Sequence, residues 1–321
     1  MCEPCLVGCL QAECRDSRAT TLRVKCASDA RIPKDFGVAI VTPFSGGMVD
    51  YKSFGELIEY QIRNNTDAIV CCATTGESAT LSEYEHREII DFTVERVGGR
   101  VPVIAGTGSN NTPHAIEMSK YARSAGADAI LVVTPYYNKT TPHGLVKHFT
   151  TVAEAAECPM IIYNVPSRTG CNIPLSVYRE LCECENVVGV KEASGNLSQI
   201  AQIAAFCGDA MPIYSGNDDQ IVPILSLGGK GVISVLSNVL PKETHDMCSL
   251  WFEGKTSESR DLQLRYLELC NALFYEVNPV PIKTAMERLG MCSGELRMPL
   301  CEIEPSNKEK LFAVMERAGL I

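Results

Sequence analysis

From Gly37 onward, short runs of β-branched and aliphatic residues alternate with longer stretches of helical period, the alternation that βαβ units with a parallel sheet produce. The apolar runs are Gly37 to Thr42, Asp67 to Cys72, Val101 to Ala105, Asp128 to Thr134, Met160 to Asn164, Val187 to Lys191, Met211 to Ser215 and Gly231 to Ser234. They are apolar almost throughout, as strands covered on both faces must be, whereas a half-exposed sheet would alternate polar and apolar positions. Between them, Ser82 with Glu85 three residues on makes a capping box, and Pro113, Pro142 and Pro174 stand where a first helical turn tolerates a missing amide. Eight strand-helix units predict a closed (β/α)8 TIM barrel of the α/β class, since a doubly wound sheet usually has about five or six strands. Beyond the eighth run the helical spacing continues from Pro241 to Ile321, for example at Leu262, Tyr266, Leu269 and Leu273. The expected organisation is a tail over 1–34, a barrel carrying the active site over 35–255 and a C-terminal helical extension over 256–321.

Composition narrows the function classes. A chain of 321 residues, 45% hydrophobic and 21% charged, is long enough for one large α/β domain. Its formal net charge of -10 argues against nucleic acid or an anionic membrane as the main partner, because both reward a cationic footprint. No apolar run approaches the roughly 20 residues of a membrane helix. A small metabolite and a cytoplasmic setting are expected. Of the 16 cysteines, five (Cys2, Cys5, Cys9, Cys14 and Cys26) lie in the polar, aperiodic tail, and the others are scattered through the apolar pattern as reduced thiols. The tail is read as mobile. Its single CxxC has no second ligand pair at finger spacing. Arg15, Arg18, Arg23 and Lys25 before Cys26-Ala27 would suit a plastid or other transit peptide, against which Glu3, Glu13 and Asp16 count. No cofactor is called for: the five His residues lack metal-ligand spacing, and neither a phosphate loop nor a dinucleotide fingerprint is present.

Barrel enzymes carry their chemistry at the C-terminal strand ends. Here those ends read Thr74-Thr75-Gly76-Glu77, Pro135-Tyr136-Tyr137-Asn138, Tyr163 through Arg168, Lys191, and Gly216-Asn217-Asp218-Asp219. A lysine closing the apolar run Val187-Val188-Gly189-Val190 sits among barrel side chains, and desolvation lowers the pKa of such an amine. A neutral amine attacks a keto carbonyl and forms an imine, an electron sink for a neighbouring carbanion. The alternative is a rim lysine paired with Glu192. Tyr163 ends the adjacent run at the same height and offers a hydroxyl for proton transfer, although a buried tyrosine more often serves packing, with its one hydroxyl satisfied. The Thr-Thr-Gly turn offers hydroxyls and amides that suit a carboxylate.

Taken in order, Val38-Ala39-Ile40-Val41-Thr42-Pro43, Thr74-Thr75-Gly76-Glu77-Ser78, Gly106-Thr107-Gly108, Thr134 to Asn138, Tyr163 to Gly170, Gly189-Val190-Lys191-Glu192 and Asn278-Pro279-Val280-Pro281-Ile282-Lys283 resemble the dihydrodipicolinate synthase and N-acetylneuraminate lyase superfamily of lysine-dependent aldolases. The resemblance runs from about Phe36 to the C-terminus and is greatest to the synthase branch. Ala73 stands where that family has Gly. The resemblance implies condensation of pyruvate with L-aspartate 4-semialdehyde. Lys191 would carry the pyruvate imine, and Tyr163, Thr74 and Tyr137 would relay protons, with Tyr137 reaching into a neighbouring subunit of a homotetramer. Thr75 would bind the pyruvate carboxylate, Gly216 and Ile233 would shape the pocket, and Arg168 would take the carboxylate of the semialdehyde. Sialic acid lyases usually lack that arginine, which separates the synthase from another aldolase such as a ketogluconate lyase. A barrel retained only as a scaffold would have no use for the set of Lys191, Tyr163 and Thr74. In lysine-inhibited relatives the effector site matches Ser78, Ala79, His86, Asn110 and Tyr136. Here His114 replaces a Glu that pairs with the effector's ammonium, and Glu83 replaces a His. Losing that anion implies weak or absent feedback by lysine.

Overall fold

The computed structural model describes residues 35–321. The expectations for the tail, with its five cysteines and its basic cluster, lie outside the described residues. The strands are β1 (Phe36–Ala39), β2 (Phe44–Ser45), β3 (Met48–Val49), β4 (Ile69–Cys71), β5 (Val103–Gly106), β6 (Ala129–Val133), β7 (Met160–Asn164), β8 (Val187–Glu192), β9 (Ile213–Ser215) and β10 (Gly231–Ser234). Eight of them close a parallel barrel in the order β1, β4 to β10 and back to β1, while β2 and β3 form a small antiparallel hairpin beside it.

The predicted barrel is therefore present, with some strands shorter than their apolar runs. The first run leaves the ladder after Ala39, where the Val41 amide donates to Asn238 Oδ1 at 3.2 Å. The seventh begins at Ile213 rather than Met211, because Pro212 has no amide to give. Ser82 caps the helix Glu83–Val97 with the full capping box, and Pro113 and Pro142 occupy first turns. Pro174 instead precedes the helix Leu175–Leu181 as its cap residue, one position earlier than the sequence suggests. All eleven described cysteines are thiols, most of them buried.

Two apolar layers follow from the strand pleat. Ala39, Val70, Ile104, Ala129, Leu131, Ile161, Tyr163, Val188, Tyr214 and Ile233 form a compact cluster, the barrel interior. Their strand neighbours, among them Ile69, Cys71, Ile130, Val132, Ile162 and Val190, belong to the larger cluster between sheet and helices.

Beyond β10, the chain forms the helices Pro241–Phe252, Thr256–Ala272, Val280–Arg288 and Pro305–Arg317. The segment between the second and third of these returns to the barrel mouth. Buried Lys283 donates to Glu77 at 2.7 Å and to the Thr42 carbonyl at 3.0 Å, and Arg297 forms an ion pair with Glu85. No described helix is long and apolar enough to cross a membrane.

Candidate active site

Strict alternation from Val188 inward would turn residue 191 outward, towards the helices. The pairing of β7 with β8 prevents this: Met160 pairs with Val187 but Ile161 pairs with Gly189, so one residue is inserted. A one-residue shift reverses every later side chain. Val190 then packs in the outer layer and Lys191 faces the barrel interior, paired with inward-facing Tyr163. Glycine is needed at the shift, since a Cβ on Gly189 would lie 2.9 Å from the Pro212 carbonyl oxygen.

Lys191 is 3% exposed, and its Nζ lies over the Tyr163 ring, 4.5 Å from the centroid. Burial lowers its pKa to about 8, with the Arg168 charge acting in the same direction and Asp218 opposing it. Glu192 is not its partner. That carboxylate lies on the helix side of β8, where it accepts from Tyr178 Oη at 2.7 Å, the Ser194 amide at 2.9 Å and Asn164 Nδ2 at 3.1 Å. The rim-lysine alternative is thereby corrected, for the reversed pleat sends the two neighbours to opposite faces.

Burial raises the pKa of Tyr163, while the Arg168 charge and a hydrogen bond with the Thr74 side chain act against it. Lys191, Tyr163 and Thr74 are thus brought together. The Thr74-Thr75 turn is closed by amides of Gly76 and Glu77 donating to the carbonyls of Ala73 and Thr74, each at 3.1 Å. Its left-handed residues are Cys72 and Glu77, so Ala73 meets no backbone demand that only glycine satisfies. Thr75 is buried and accepts a hydrogen bond from Asn278 Nδ2 at 3.0 Å.

Gly216 follows β9, and a Cβ there would meet the Ala193 Cβ at 2.6 Å; Ile233 is buried in the barrel interior. Arg168 is exposed and donates from Nη2 to the Asn278 carbonyl at 3.0 Å. Tyr137 stands apart from the cluster, 92% exposed, with a left-handed φ of 66°.

A cavity of about 540 Å³ opens on this end of the barrel and is lined by Thr74 and Arg168 together with Ser78, Ala79, His86, His114 and Tyr136. Lys191 and Tyr163 lie outside its lining. Asn110 does too; its carbonyl accepts from Asn138 Nδ2 at 2.9 Å. Burial lowers the pKa of His86 and His114 nearby acts in the same direction, against its hydrogen bond to the Gly106 carbonyl and the Glu83 charge.

Sequence reasoning missed two residues. Asp218 was visible only as part of a polar strand end. It is buried, its Oδ2 accepts the amides of Val235 and Leu236 at 3.0 and 2.9 Å, and its charge attracts Lys191. Asn278 lay within a matching stretch and carried no role. At the opposite end of the barrel, Asp35, Asp67 and His245 bring potential ligand atoms within 4.8 Å of one another, a grouping that linear spacing does not reveal; His245 and Asp67 share a 3.2 Å hydrogen bond.

The family model for the dihydrodipicolinate synthetase family matches residues 33–318. A 4-hydroxy-tetrahydrodipicolinate synthase of Clostridium tetani is 55% identical over 289 residues, covering 90% of this chain and 98% of that protein. Among solved structures, a dihydrodipicolinate synthase from Aquifex aeolicus superposes with a TM-score of 0.87 at 44% identity, covering 90% of this chain and 99% of that one. A chloride-inhibited dihydrodipicolinate synthase from Acinetobacter baumannii, complexed with pyruvate, gives 0.88 at 39% identity, covering 90% and 100%. With a buried, inward-turned lysine facing a tyrosine at one barrel mouth, and with these likenesses across nearly its whole described length, the chain belongs to the dihydrodipicolinate synthetase family.

Proposed function

We propose that this protein performs the 4-hydroxy-tetrahydrodipicolinate synthase reaction, joining pyruvate to L-aspartate 4-semialdehyde in the pathway to diaminopimelate and lysine. The observation that carries the reading is the Lys191–Tyr163 pair across β7 and β8, with the amine desolvated to a pKa of about 8. The neutral Nζ attacks C2 of pyruvate. Tyr163, linked to Thr74, donates a proton to the departing hydroxyl, and water leaves as the imine forms. The Tyr163 phenolate left by that step takes a C3 proton to give the enamine, whose carbon attacks the aldehyde while the proton passes on to the aldehyde oxygen. The amino group of the bound semialdehyde then closes the ring at C2 and returns the lysine amine. Thr75 binds the pyruvate carboxylate, and the guanidinium fork of Arg168 takes the carboxylate of the semialdehyde.

The exposure of Tyr137 supports a role in a neighbouring subunit, and we assign the enzyme a homotetramer built from tight dimers. His114 and Glu83 on the cavity wall support weak or absent inhibition by lysine.

The test is pyruvate with borohydride, followed by mass spectrometry, together with steady-state turnover of the semialdehyde with and without lysine. A reduced pyruvate adduct on the Lys191 peptide is expected, along with turnover that millimolar lysine leaves largely intact. Arg168→Ala is expected to raise the semialdehyde KM about 10- to 100-fold, the loss of a charged hydrogen-bonding pair. An unlabelled Lys191 peptide would refute the imine, and a sub-millimolar lysine inhibition constant would refute the feedback assignment.

A further inference from the structure

The chain between the helices Thr256–Ala272 and Val280–Arg288 delivers one polar side chain into the mouth of the barrel. Asn278 is 4% exposed and shares the cavity wall with Thr74 and Arg168. It touches both groups to which the functional reading assigns substrate carboxylates. Its side-chain Nδ2 donates to Thr75 Oγ1 at 3.0 Å, and its main-chain carbonyl accepts from Arg168 Nη2 at 3.0 Å. Its Oδ1 is buried without a hydrogen-bond partner.

Donor and acceptor counting gives these contacts a direction. An amide NH2 only donates, so Thr75 Oγ1 must accept from Asn278. The single hydroxyl proton of Thr75 is then left for another acceptor. A neutral amide suits this task where an aspartate would not, since a carboxylate would accept the Thr75 proton and repel an incoming anion. A buried acceptor with no partner is costly to maintain, which argues against simple packing as the reason for an amide here.

We infer that Asn278 is a positioning residue for substrate binding: it sets Thr75 as a hydrogen-bond donor to the keto-acid carboxylate and anchors the Arg168 guanidinium through its carbonyl. The inference rests on the functional reading above. It differs from that reading in assigning a residue of the C-terminal segment, which supplies none of the reacting groups, control over how tightly the first substrate binds.

The experiment measures half-saturation by pyruvate in borohydride trapping, which needs no semialdehyde, for the full-length wild type, Asn278→Ala, Asn278→Ser and Asn278→Asp, with melting curves for each. A hydrogen bond to a charged group supports about a ten- to hundred-fold difference in affinity. Asn278→Ala is expected to raise half-saturating pyruvate about ten-fold with little change in the limiting trapping rate. Asn278→Ser, which still offers a proton to Thr75, should fall between alanine and wild type. Asn278→Asp, the isostere, should be the worst, at about 100-fold. In a Thr75→Val background, Asn278→Ala should add almost nothing.

A merely structural role would make the truncation worse than the isostere, or would add its effect to that of Thr75→Val; either result overturns the inference. So does wild-type half-saturation in Asn278→Ala. If the wild type itself yields no adduct, the functional reading fails and takes the inference with it. A labelled wild type with unmoved Asn278 variants overturns the inference alone.

Discussion

Two buried lysines in this molecule have opposite surroundings. Lys283, fully buried on the helix Val280–Arg288, lies over the Phe44 ring at 4.3 Å and places its Nζ 2.7 Å from the Glu77 carboxylate and 3.0 Å from the Thr42 carbonyl. Lys191, equally cut off from water, has its Nζ over an aromatic ring, with Asp218 as an electrostatic attraction rather than an ion-pair partner among the described residues. Burial lowers the pKa of both, but at Lys283 the Glu77 contact opposes it directly. An amine held by a carboxylate is a brace between the C-terminal segment and the Thr74-Thr75 turn. An amine desolvated without such a partner is a nucleophile in waiting.

The largest effect should come from replacing each lysine by methionine, which keeps the volume and removes the charge. Lys283→Met leaves Glu77 buried without its cation, a defect that costs about 3 to 5 kcal/mol. Its melting temperature should fall, and activity should fall with it as the turn loosens. Lys191→Met removes a buried amine that has no ion-pair partner, so stability should hold or rise while the pyruvate adduct disappears. Thermal melts beside trapping assays separate the two. Equal destabilisation by both changes would break the contrast.

This contrast was only half legible in the linear sequence. Lys191 and Tyr163 stood at the ends of adjacent apolar runs, and their pairing followed from counting strands. The direction of Lys191 did not, because the inserted residue at Val188-Gly189 leaves no mark on an unbroken apolar run. The ion pair between Lys283 and Glu77 joins residues 206 positions apart, and the bond from Asn278 to Thr75 spans 203. Neither separation has a periodic signature. Asp218 was likewise hidden, since a polar strand end does not say which of its members turns inward. The barrel itself was readable because its rule is local, a strand and then a helix, repeated. The groups that tune the site come from chain closure, which is not local.

A smaller effect sharpens the same comparison through pH. With a folded pKa of about 8 against the ordinary 10.5, roughly a tenth of Lys191 is neutral at pH 7, so pyruvate trapping should rise about five-fold by pH 8 and flatten above it. An unperturbed lysine would keep gaining rate up to about pH 10.4. The linkage has a definite sign. Between pH 8 and 10.5 the unfolded chain binds a proton at this residue that the folded chain does not, so folding stability gains with rising pH across that window, by up to about 3 kcal/mol. Below pH 8 the contribution is a constant penalty. Lys191→Met should lose this contribution, while Lys283→Met keeps it and loses only the separate, same-signed contribution of its own lowered pKa. Denaturant titrations at several pH values on wild type and both variants read the contribution as the pH dependence of the difference between wild type and Lys191→Met. A stability difference between wild type and Lys191→Met that stays constant across the window would mean that Lys191 is solvated like any surface lysine.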